Sequence, residues 1–326
     1  MAEVITFGEA MVVFIAEETG EFKEVTYFSR GLAGAELNVA VGLTRLGHRT
    51  KYITRLGRDP YGEYILDFIR RENIDDSAVF FDCEYLTGSY IKSKVREGDP
   101  KIFYYRKNSA ASYINAEDIE RVDFSGGQIL HVSGISAAIS ESSRRACYRA
   151  IEKAREYGML ITFDPNIRRN LWKSEEDMRE TLNDLASRCD IILPGLAEGT
   201  LLTGRRTPEG VAEFYLNRGM YAAVVKLGAP GAYYKTEKGE QGYVPGFKVE
   251  HVVDTVGAGD AFASGFISGI LDEISLRESV VRGNAMGAII ITSKSDNDAL
   301  PTLEELQRFM EREGNFSELE KIQMAQ

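Results

Sequence analysis

Short apolar runs alternate with amphipathic segments along most of the chain. The pattern predicts strand–helix pairs at 52–57 with 61–72, 129–134 with 142–157 and 160–164 with 175–187, and a helix that ends at 46–47. Further strands are predicted at 4–8, 190–193 and 221–226, a β-meander at 232–249, and helices at 260–272, 276–293 and 303–312. Strands that alternate with helices are typical of a parallel sheet with helices packed on its faces.

Two stretches of alternating residues interrupt this rhythm. The first is an extended excursion over 12–15 and 25–28, and the second is a β-hairpin of 90–95 and 101–106 around the turn 96–100. Alternation with a period of two and no helix directly after it indicates antiparallel strands. We therefore expect a small β-sheet, formed by about 12–31 and 86–108, that covers a site as a lid. The alternative interpretation of the hairpin is a surface element without a role.

No linker divides the chain, so we expect a single domain spanning 1–326. Hydrophobic residues make up 44% and charged residues 27% of the 326 residues, which is sufficient for a packed core. The net charge of -11 argues against a nucleic acid or a membrane surface as partner. No apolar run approaches the roughly 18 residues of a membrane helix. The segment from Met1 to Phe14 lacks the basic start of a signal peptide.

The cysteines give no indication of a metal site or a redox site. Cys83, Cys147 and Cys189 are scattered, with no CxxC pattern and no metal-ligand spacing to the histidines. We interpret all three as buried thiols in a reducing cytoplasm, which is the location that we expect for the protein.

A glycine turn carries the clearest chemical signal of the chain. Gly257-Ala258-Gly259-Asp260 leads directly into an apolar helix. The free N–H groups and the dipole at a helix start attract anions, and phosphate is the obvious ligand. The carboxylate of Asp260 would repel a bare phosphate, but it suits a base that takes a proton from a nucleophile attacking phosphorus. A glycine turn before a buried helix is the alternative, and this stretch alone fits both equally.

Polar groups at the ends of predicted strands are further candidates for ligand binding, because open α/β sheets bind ligands there. Arg168 follows the strand 160–164 and could hold a phosphate or a substrate carboxylate. It could equally pair with Asp164 at the edge of the sheet. Lys226, with Gly228 and Gly231 after it, suits the phosphates or the adenosine of a nucleotide.

The second strand of the hairpin is rich in hydrogen-bond donors. Tyr104, Tyr105 and Arg106 suit a hydroxylated substrate, although the strand also fits a solvated face with one buried ring. The chain has no GxxxxGK[ST] loop and no HRD or DFG signature, so it is neither a P-loop enzyme nor a protein kinase. Its histidines lack the partners of a nucleophilic triad. The case for phosphate transfer therefore depends on the glycine turn.

These motifs together resemble the PfkB, or ribokinase-like, family of carbohydrate kinases nearly end to end. The segment 254–260 is similar to the family's DTxGAGD signature and 34–47 to its first signature, with Ala33 where many members have glycine. Four stretches, 104–112, 133–135, 163–168 with 171–172, and 295–298, resemble the branch of the family that acts on 2-keto-3-deoxygluconate. Val12 and Val13 stand where fructokinases usually carry an aspartate that holds sugar hydroxyls, which argues against fructose.

The resemblance implies a three-layer α/β/α core with a mostly parallel sheet, and a small β-sheet lid. It also implies transfer of the γ-phosphoryl group of ATP to a primary hydroxyl of a keto-deoxy sugar acid. Asp260 would be the base, and the N–H groups of Gly257, Ala258 and Gly259 would face the phosphoryl oxygens. The residues that would hold the sugar acid are Gly34, Tyr90, Tyr104, Arg106, Ile135, Arg168 and Asp296. Those that would line the nucleotide site are Lys226, Gly228, Gly231, Thr255 and Asn284.

The resemblance has implications for ions and partners as well. Mg²⁺ would arrive with the ATP and be ordered by Glu198. A monovalent cation such as K⁺ would bind near the carbonyls of Asp254 and Val256. The family's NxxE motif has Gly195 in place of its asparagine here, so any contact made by that amide is in doubt. An exposed β-lid favours a homo-oligomer.

Several alternatives remain open at this point. The chain could be another sugar kinase of the family, acting on fructose, ribose or a phosphosugar. It could be a nucleoside kinase or a non-catalytic sugar-binding relative, although Asp260 in an intact turn argues against the latter. Arg106 and Arg168 favour an acidic substrate over a neutral sugar or a nucleoside, and either of them could meet its carboxylate.

Overall fold

The computed structural model describes residues 1–95, 100–293 and 297–313. Its strands are β1 (Val4–Phe7), β2 (Met11–Thr19), β3 (Phe28–Ala33), β4 (Thr50–Gly57), β5 (Val79–Asp82), β6 (Ser89–Lys94), β7 (Ile102–Tyr105), β8 (Ile129–Ser133), β9 (Leu160–Asp164), β10 (Ile191–Ile192), β11 (Ala222–Gly228), β12 (Gly231–Thr236) and β13 (Gln241–Pro245). Its helices are α1 (Ala35–Arg45), α2 (Pro60–Arg71), α3 (Ala116–Arg121), α4 (Gly134–Ala138), α5 (Glu141–Glu156), α6 (Glu175–Ser187), α7 (Leu196–Thr203), α8 (Pro208–Leu216), α9 (Ala258–Leu271), α10 (Leu276–Ile290) and α11 (Leu303–Glu313). The predicted alternation of strands with helices is confirmed for most of the described chain.

A large sheet has the strand order β13-β12-β11-β10-β9-β8-β1-β4-β5. Neighbouring strands from β11 to β5 are parallel, whereas β11–β12 and β12–β13 are antiparallel. All residues of β1 are buried. A parallel strand is covered on both faces, which explains why this strand shows no polar alternation in the sequence.

Helices cover both faces of the large sheet, which confirms the predicted three layers. One face packs on α5, α6, α7 and α8 through a core that includes Ile5, Leu130, Ile151, Leu182 and Val211. The opposite face packs on α1, α9 and α10 through residues that include Val4, Leu43, Phe266 and Val280. Val4 and Ile5 pack on opposite faces of the sheet because successive side chains of a strand point to opposite sides.

The two stretches of alternating residues that were predicted to be strands form a second sheet, which we call the small sheet. Its strand order is β3-β2-β6-β7. The pairs β2–β3 and β6–β7 are antiparallel, and β2 and β6 lie side by side as parallel strands with Val13 opposite Tyr90. A small core cluster contains Met11, Val13, Ala33 and Tyr90. The small sheet is therefore assembled from two separate parts of the chain.

The structure contains elements that the hydrophobic pattern did not predict, namely β5, α3, α4, α7 and α8. Helix α7 is apolar on most of its sides, so no amphipathic stripe marks it in the sequence. The predicted meander is also shorter than expected, because β13 ends at Pro245.

One of the cysteine predictions is wrong. Cys83 is exposed, because it lies in a turn where the Asp82 carboxylate accepts the N–H groups of Glu84 and Tyr85. Cys147 and Cys189 are buried as predicted. In the described part of the chain, none of the helices combines the length and the apolar character needed to span a bilayer.

Candidate active site

A cleft of about 910 Å³ lies between the carboxyl ends of the parallel strands and the small sheet. The lining includes Gly228 on strand β11, Glu9 and Asn166 in the loops after β1 and β9, and Glu198 in the first turn of α7. The small sheet and the start of α9 contribute further lining residues. The cleft thus occupies the position at which open α/β sheets bind their ligands.

The glycine turn borders this cleft and opens helix α9. Gly257 has a left-handed backbone conformation with a φ of 82°, and Ala258 is the first helical residue. Glycine suits this position because it adopts positive φ without strain. No side chain caps the start of this helix, so the N–H groups of its first turn do not donate to a capping side chain. The Ala258 N–H donates a long hydrogen bond of 3.3 Å to the carbonyl of Thr255. This geometry fits an anion cradle.

Asp260 lies in the first turn of α9 and is only 9% exposed. Its carboxylate oxygens accept hydrogen bonds from Asn38 Nδ2 at 2.9 Å and from Asn166 Nδ2 at 3.2 Å. Burial raises the pKa of Asp260 to about 7, the hydrogen bond from Asn38 opposes the rise, and the negative charge of Asp164 adds to it. A carboxyl group with this pKa is matched to accepting a proton near neutral pH.

The two asparagines that orient Asp260 were not among the predicted site residues. Asn38 on α1 is itself held by Asn297, whose Nδ2 donates to Asn38 Oδ1 at 3.1 Å. Asn166 follows β9 with a φ of 38°, in the left-handed region that asparagine tolerates better than most residues. The sequence contained one signal for each of them. Asn38 is a polar residue within the apolar start of α1, and Asn166 is an amide shortly after the end of β9.

A buried ion pair joins β9 and β11 beside the turn. Lys226 Nζ lies 2.5 Å from Asp164 Oδ2, and a side-chain carbon added at Gly259 would lie 3.3 Å from that Nζ. Burial acts to lower the pKa of Lys226, but the charges of Asp164 and Glu198 outweigh it and raise the pKa. The ammonium group therefore stays charged next to the helix start. An ion pair between Asp164 and Arg168 is not present among the described residues.

Glu198 ties two strand-end loops together. Its Oε1 accepts the N–H of Ile167 at 2.7 Å, and its Oε2 accepts the N–H of Gly195 at 2.8 Å. The second contact is a carboxylate in the first turn of α7 that reaches back to the residue before the helix. Glu198 also lines the cleft, and each carboxylate oxygen has a second lone pair for an ion or a water molecule.

The described residues that were predicted to hold a sugar acid all line the cleft, and they are Gly34, Tyr90, Tyr104, Arg106, Ile135 and Arg168. Asp296, the remaining member of that set, lies outside the described residues. The rings of Tyr90 and Tyr104 are 5.2 Å apart and inclined by 52°. Arg168 is exposed, and its Nη1 donates to the carbonyl of Ile167 at 3.2 Å. The side chain of Arg106 is 9% exposed and is ion-paired with Glu9.

The residues that were predicted for the nucleotide line the same cleft, and they are Lys226, Gly228, Gly231, Thr255 and Asn284. Gly228 and Gly231 have positive φ angles of 72° and 104°. A side-chain carbon at Gly231 would lie 2.1 Å from the carbonyl of Val244, so glycine is required there. Asn284 Nδ2 donates to the carbonyls of Val244 and Pro245 at 3.2 and 3.1 Å, which holds the end of β13.

A second buried ion pair connects the small sheet to the segment before the turn. Lys92 on β6 pairs with Oδ2 of Asp254, and the two side chains are 4% and 11% exposed. Asp254 Oδ1 accepts the N–H of Val256 at 3.0 Å. One aspartate therefore shapes the approach to the turn and also binds the small sheet.

Glu36 on α1 is a buried carboxyl group that lines the cleft. Ser136 Oγ lies 2.7 Å from Glu36 Oε1 and 3.0 Å from the carbonyl of Phe7. The hydroxyl group has one proton, which it donates to one of these acceptors or shares between them. Burial raises the pKa of Glu36, and the hydrogen bonds from Ser133 and Ser136 oppose the rise.

Comparison with known proteins finds similarity along nearly the whole chain. The sequence profile of the pfkB family carbohydrate kinase matches residues 1–303. A Bacillus subtilis (strain 168) protein named 2-dehydro-3-deoxygluconokinase is 48% identical over 309 residues, which cover 94% of this chain and 95% of the relative.

Solved structures share the fold from end to end. The crystal structure of a PfkB protein from Polaromonas sp. JS666 gives a TM-score of 0.85 at 42% identity, covering 94% of this chain and 99% of the other. The crystal structure of a putative ribokinase II from E. coli in complex with ATP and Mg²⁺ gives a TM-score of 0.87 at 27% identity, covering 96% and 100%. The large sheet and the small sheet therefore belong to one recurring architecture.

Proposed function

We propose that this chain, which belongs to the pfkB family of carbohydrate kinases, phosphorylates 2-keto-3-deoxygluconate with ATP. The phosphoryl group would go to the primary hydroxyl, giving 2-keto-3-deoxy-6-phosphogluconate in the breakdown of sugar acids. The observation that carries the choice of an acidic sugar is the presence of Arg106 and Arg168 in the same cleft as Asp260.

Two further points support this substrate. The Bacillus subtilis relative with 48% identity carries the name of a kinase for this sugar acid. Val12 and Val13 on β2 offer no carboxylate to the hydroxyls of a neutral sugar. A buried or partly buried guanidinium group binds a carboxylate well, because it presents paired N–H donors at the spacing of the two oxygens.

In the proposed mechanism, Asp260 takes the proton of the primary hydroxyl as that oxygen attacks the γ-phosphorus. Asn38 and Asn166 hold the carboxylate in place through their amide donors. The N–H groups of Gly257, Ala258 and Gly259 would donate to the phosphoryl oxygens as negative charge builds on them. The charged ammonium group of Lys226 lies beside Gly259 and adds to the same stabilisation.

Mg²⁺ and a monovalent cation are part of the proposal. Within the described ranges, no group of three or more His, Cys, Asp or Glu side chains could hold a metal, so the phosphates of ATP would supply most of the magnesium ligands. Glu198 would contact Mg²⁺ directly or through water, and K⁺ would bind near the carbonyls of Asp254 and Val256. Chelation with EDTA should abolish turnover, and replacement of K⁺ by tetramethylammonium should lower it; full activity in either case contradicts the assignment of that ion.

We also propose a single cytoplasmic domain in which the small sheet acts as a lid, with two or more copies in the functional assembly. Phe103 and Tyr105 on β7 are 57% and 58% exposed, which provides apolar surface for a second copy. Light scattering should give a mass above that of one chain. A monomeric mass at working concentration would rule out the oligomer.

A coupled assay across a panel of acceptors tests the proposed function. The panel contains 2-keto-3-deoxygluconate, its galactonate-derived epimer, fructose, ribose and adenosine. We expect the highest kcat/KM for one of the two keto-deoxy acids. A higher kcat/KM for fructose, ribose or adenosine would contradict the proposal and point to another branch of the family.

A further inference from the structure

Glu9 is a buried carboxylate that the proposed mechanism does not use. It lies in the loop after β1 and is 2% exposed. Its Oε2 accepts a hydrogen bond from Arg106 Nε at 2.8 Å, and its Oε1 accepts one from Ser109 Oγ at 2.5 Å. Glu9 therefore connects the end of a central strand with the segment that follows the small sheet.

Two glycines make room for this carboxylate and its backbone. A side-chain carbon at Gly88 would lie 2.6 Å from Glu9 Oε1. One at Gly34, where φ is 144°, would lie 2.5 Å from the carbonyl of Glu9. Neither Gly88 nor Gly34 could therefore carry a side chain without moving Glu9.

Glu9 binds both ends of a tight turn. Strand β7 ends at Tyr105, the Ser109 N–H donates to the carbonyl of Arg106 at 3.1 Å, and Asn108 has a φ of 58°. The side chains of Arg106 and Ser109 both return to the same carboxylate. The direction of the Arg106 side chain is therefore fixed by the turn and by Glu9 together.

Glu9 occupies one side of the guanidinium group. Arg106 Nε donates to Glu9 Oε2, and Nη2 is ion-paired with the same oxygen. Nη2 is itself buried, and the whole side chain is only 9% exposed. The ring of Tyr104 lies 5.5 Å from the guanidinium carbon and flanks the group.

We propose that Glu9 is a positioning residue that holds Arg106 so that the Nη1 end of its guanidinium group binds the carboxylate of the sugar acid. This inference rests on the proposed function. The Nε–Nη2 side faces Glu9, so the Nη1 end of the guanidinium group remains for the carboxylate of the ligand. Arg168 is exposed and donates to the carbonyl of its own neighbour, so it has no comparable support. Arg106 is thereby the main carboxylate ligand.

Two substitutions separate orientation from charge. Glutamine at position 9 keeps an oxygen for Arg106 Nε, and its amide can donate to Ser109 Oγ, which then acts as acceptor. Glu9→Gln therefore keeps the guanidinium group in place and removes one negative charge. Glu9→Leu is similar in size and removes both the acceptor and the charge.

The experiment measures Kd for 2-keto-3-deoxygluconate by calorimetry, together with kcat and the KM values of both substrates. Glu9→Leu should raise Kd and KM for the sugar acid roughly tenfold or more, because an Arg106 side chain that is no longer held by Glu9 loses the geometry needed to bind the carboxylate. KM for ATP should stay at the wild-type value, and Glu9→Gln should restore tight binding of the acid. An unchanged KM for the acid in Glu9→Leu overturns the proposal, and so does an equal rise in KM for ATP, which would indicate a purely structural role.

Glu9→Leu leaves a buried arginine without its counter-charge and can fail to fold, so a second set of variants is needed. These are Arg106→Leu and the double variant Glu9→Leu/Arg106→Leu. If Glu9 acts through Arg106, the double variant binds the acid as weakly as Arg106→Leu and no weaker. A further loss in the double variant overturns the proposal.

Binding of the sugar acid to the wild-type protein distinguishes a failure of the proposed function from a failure of the role of Glu9. Wild-type protein that does not bind the sugar acid overturns the proposed function and the role of Glu9 together. Wild-type protein that binds the acid, with Glu9→Leu binding it equally well, overturns the role of Glu9 alone.

Discussion

The two walls of the cleft are built in different ways. On one side, the segment 254–260 provides backbone N–H groups, a left-handed glycine and the carboxylate of Asp260 within one short stretch. On the other side, Tyr90, Tyr104 and Arg106 reach the cleft from the small sheet, and a carboxylate far away in sequence holds the arginine.

Under the proposed function, this difference separates chemistry from selectivity. The wall formed by 254–260, which would carry phosphoryl transfer, depends on local backbone geometry that tolerates little change. The wall on the side of the small sheet, here called the substrate wall, depends on side chains brought together by tertiary contacts, so single substitutions should change the preferred sugar while leaving the turn intact. Variants of the two walls should therefore show opposite patterns in kcat and KM.

The largest effect is expected from Asp260→Asn. Removal of the base should lower kcat by roughly 10²- to 10⁴-fold, the usual contribution of a positioned proton acceptor. Kd for the sugar acid should change little, because the substrate wall remains. Stopped or coupled assays give kcat, and calorimetry gives Kd.

A matched control is Asp67→Asn, which makes the same chemical change on the exposed surface of α2. It should leave both constants at the wild-type value. Retention of substantial turnover by Asp260→Asn would show that another group accepts the proton.

The pH dependence of kcat/KM should show the ionisation of the same carboxyl group. The pKa of Asp260 is raised to about 7 by burial, and only the deprotonated form can accept the proton. The rate should therefore fall about tenfold per pH unit below about pH 7 and level off above it. A profile that stays flat down to about pH 5.5 would assign the base to a group with an ordinary carboxyl pKa.

A smaller effect is expected on folding stability. The folded pKa of Asp260, about 7, lies above the usual aspartate value of 3.8, so the folded protein binds more protons between these two pH values. The stability of the wild type relative to Asp260→Asn should therefore fall as pH rises through this window, by at most about 1.4 kcal/mol per pH unit. Above about pH 7 the difference should stay constant. Urea unfolding of both proteins across pH measures it, and a difference independent of pH would contradict the raised pKa.

The smallest effect is expected from Glu36→Gln. An amide of nearly the same shape can accept the same hydrogen bond from Ser136, and burial, which raises the pKa of Glu36, disfavours a charge at this position. The free energy of unfolding at neutral pH should change by no more than about 1 kcal/mol. Glu36→Leu is the control, since it leaves Ser136 without this partner and should destabilise more. A loss in Glu36→Gln as large as that in Glu36→Leu would contradict this expectation.

The sequence predicted the elements with a clear period and the parts of the site with a compact motif. The strands β1, β4, β8 and β9 and the helices α2, α5 and α6 stand close to their expected bounds. The glycine turn opens α9 as expected, because its geometry is a property of a few consecutive residues. The layers of the fold follow from the same local patterns.

Features that depend on contacts between distant segments could not be predicted. Glu9 gave no signal, because its importance comes from Arg106 and Ser109, which lie 97 and 100 residues away. The sequence also left open whether Asp164 pairs with Arg168, and the structure pairs it with Lys226. Helix α7 was missed because it is apolar on most sides.

The buried pair of Lys92 and Asp254 has a consequence for the behaviour of the cleft in concentrated salt. Mobile ions screen exposed charges beyond a Debye length of about 8 Å at physiological ionic strength, but they screen buried pairs much less. With side chains 4% and 11% exposed, this pair is shielded from most counter-ions. The distance between the small sheet and the segment before the glycine turn is therefore set at this point by the length of one lysine side chain, at low and at high salt concentration.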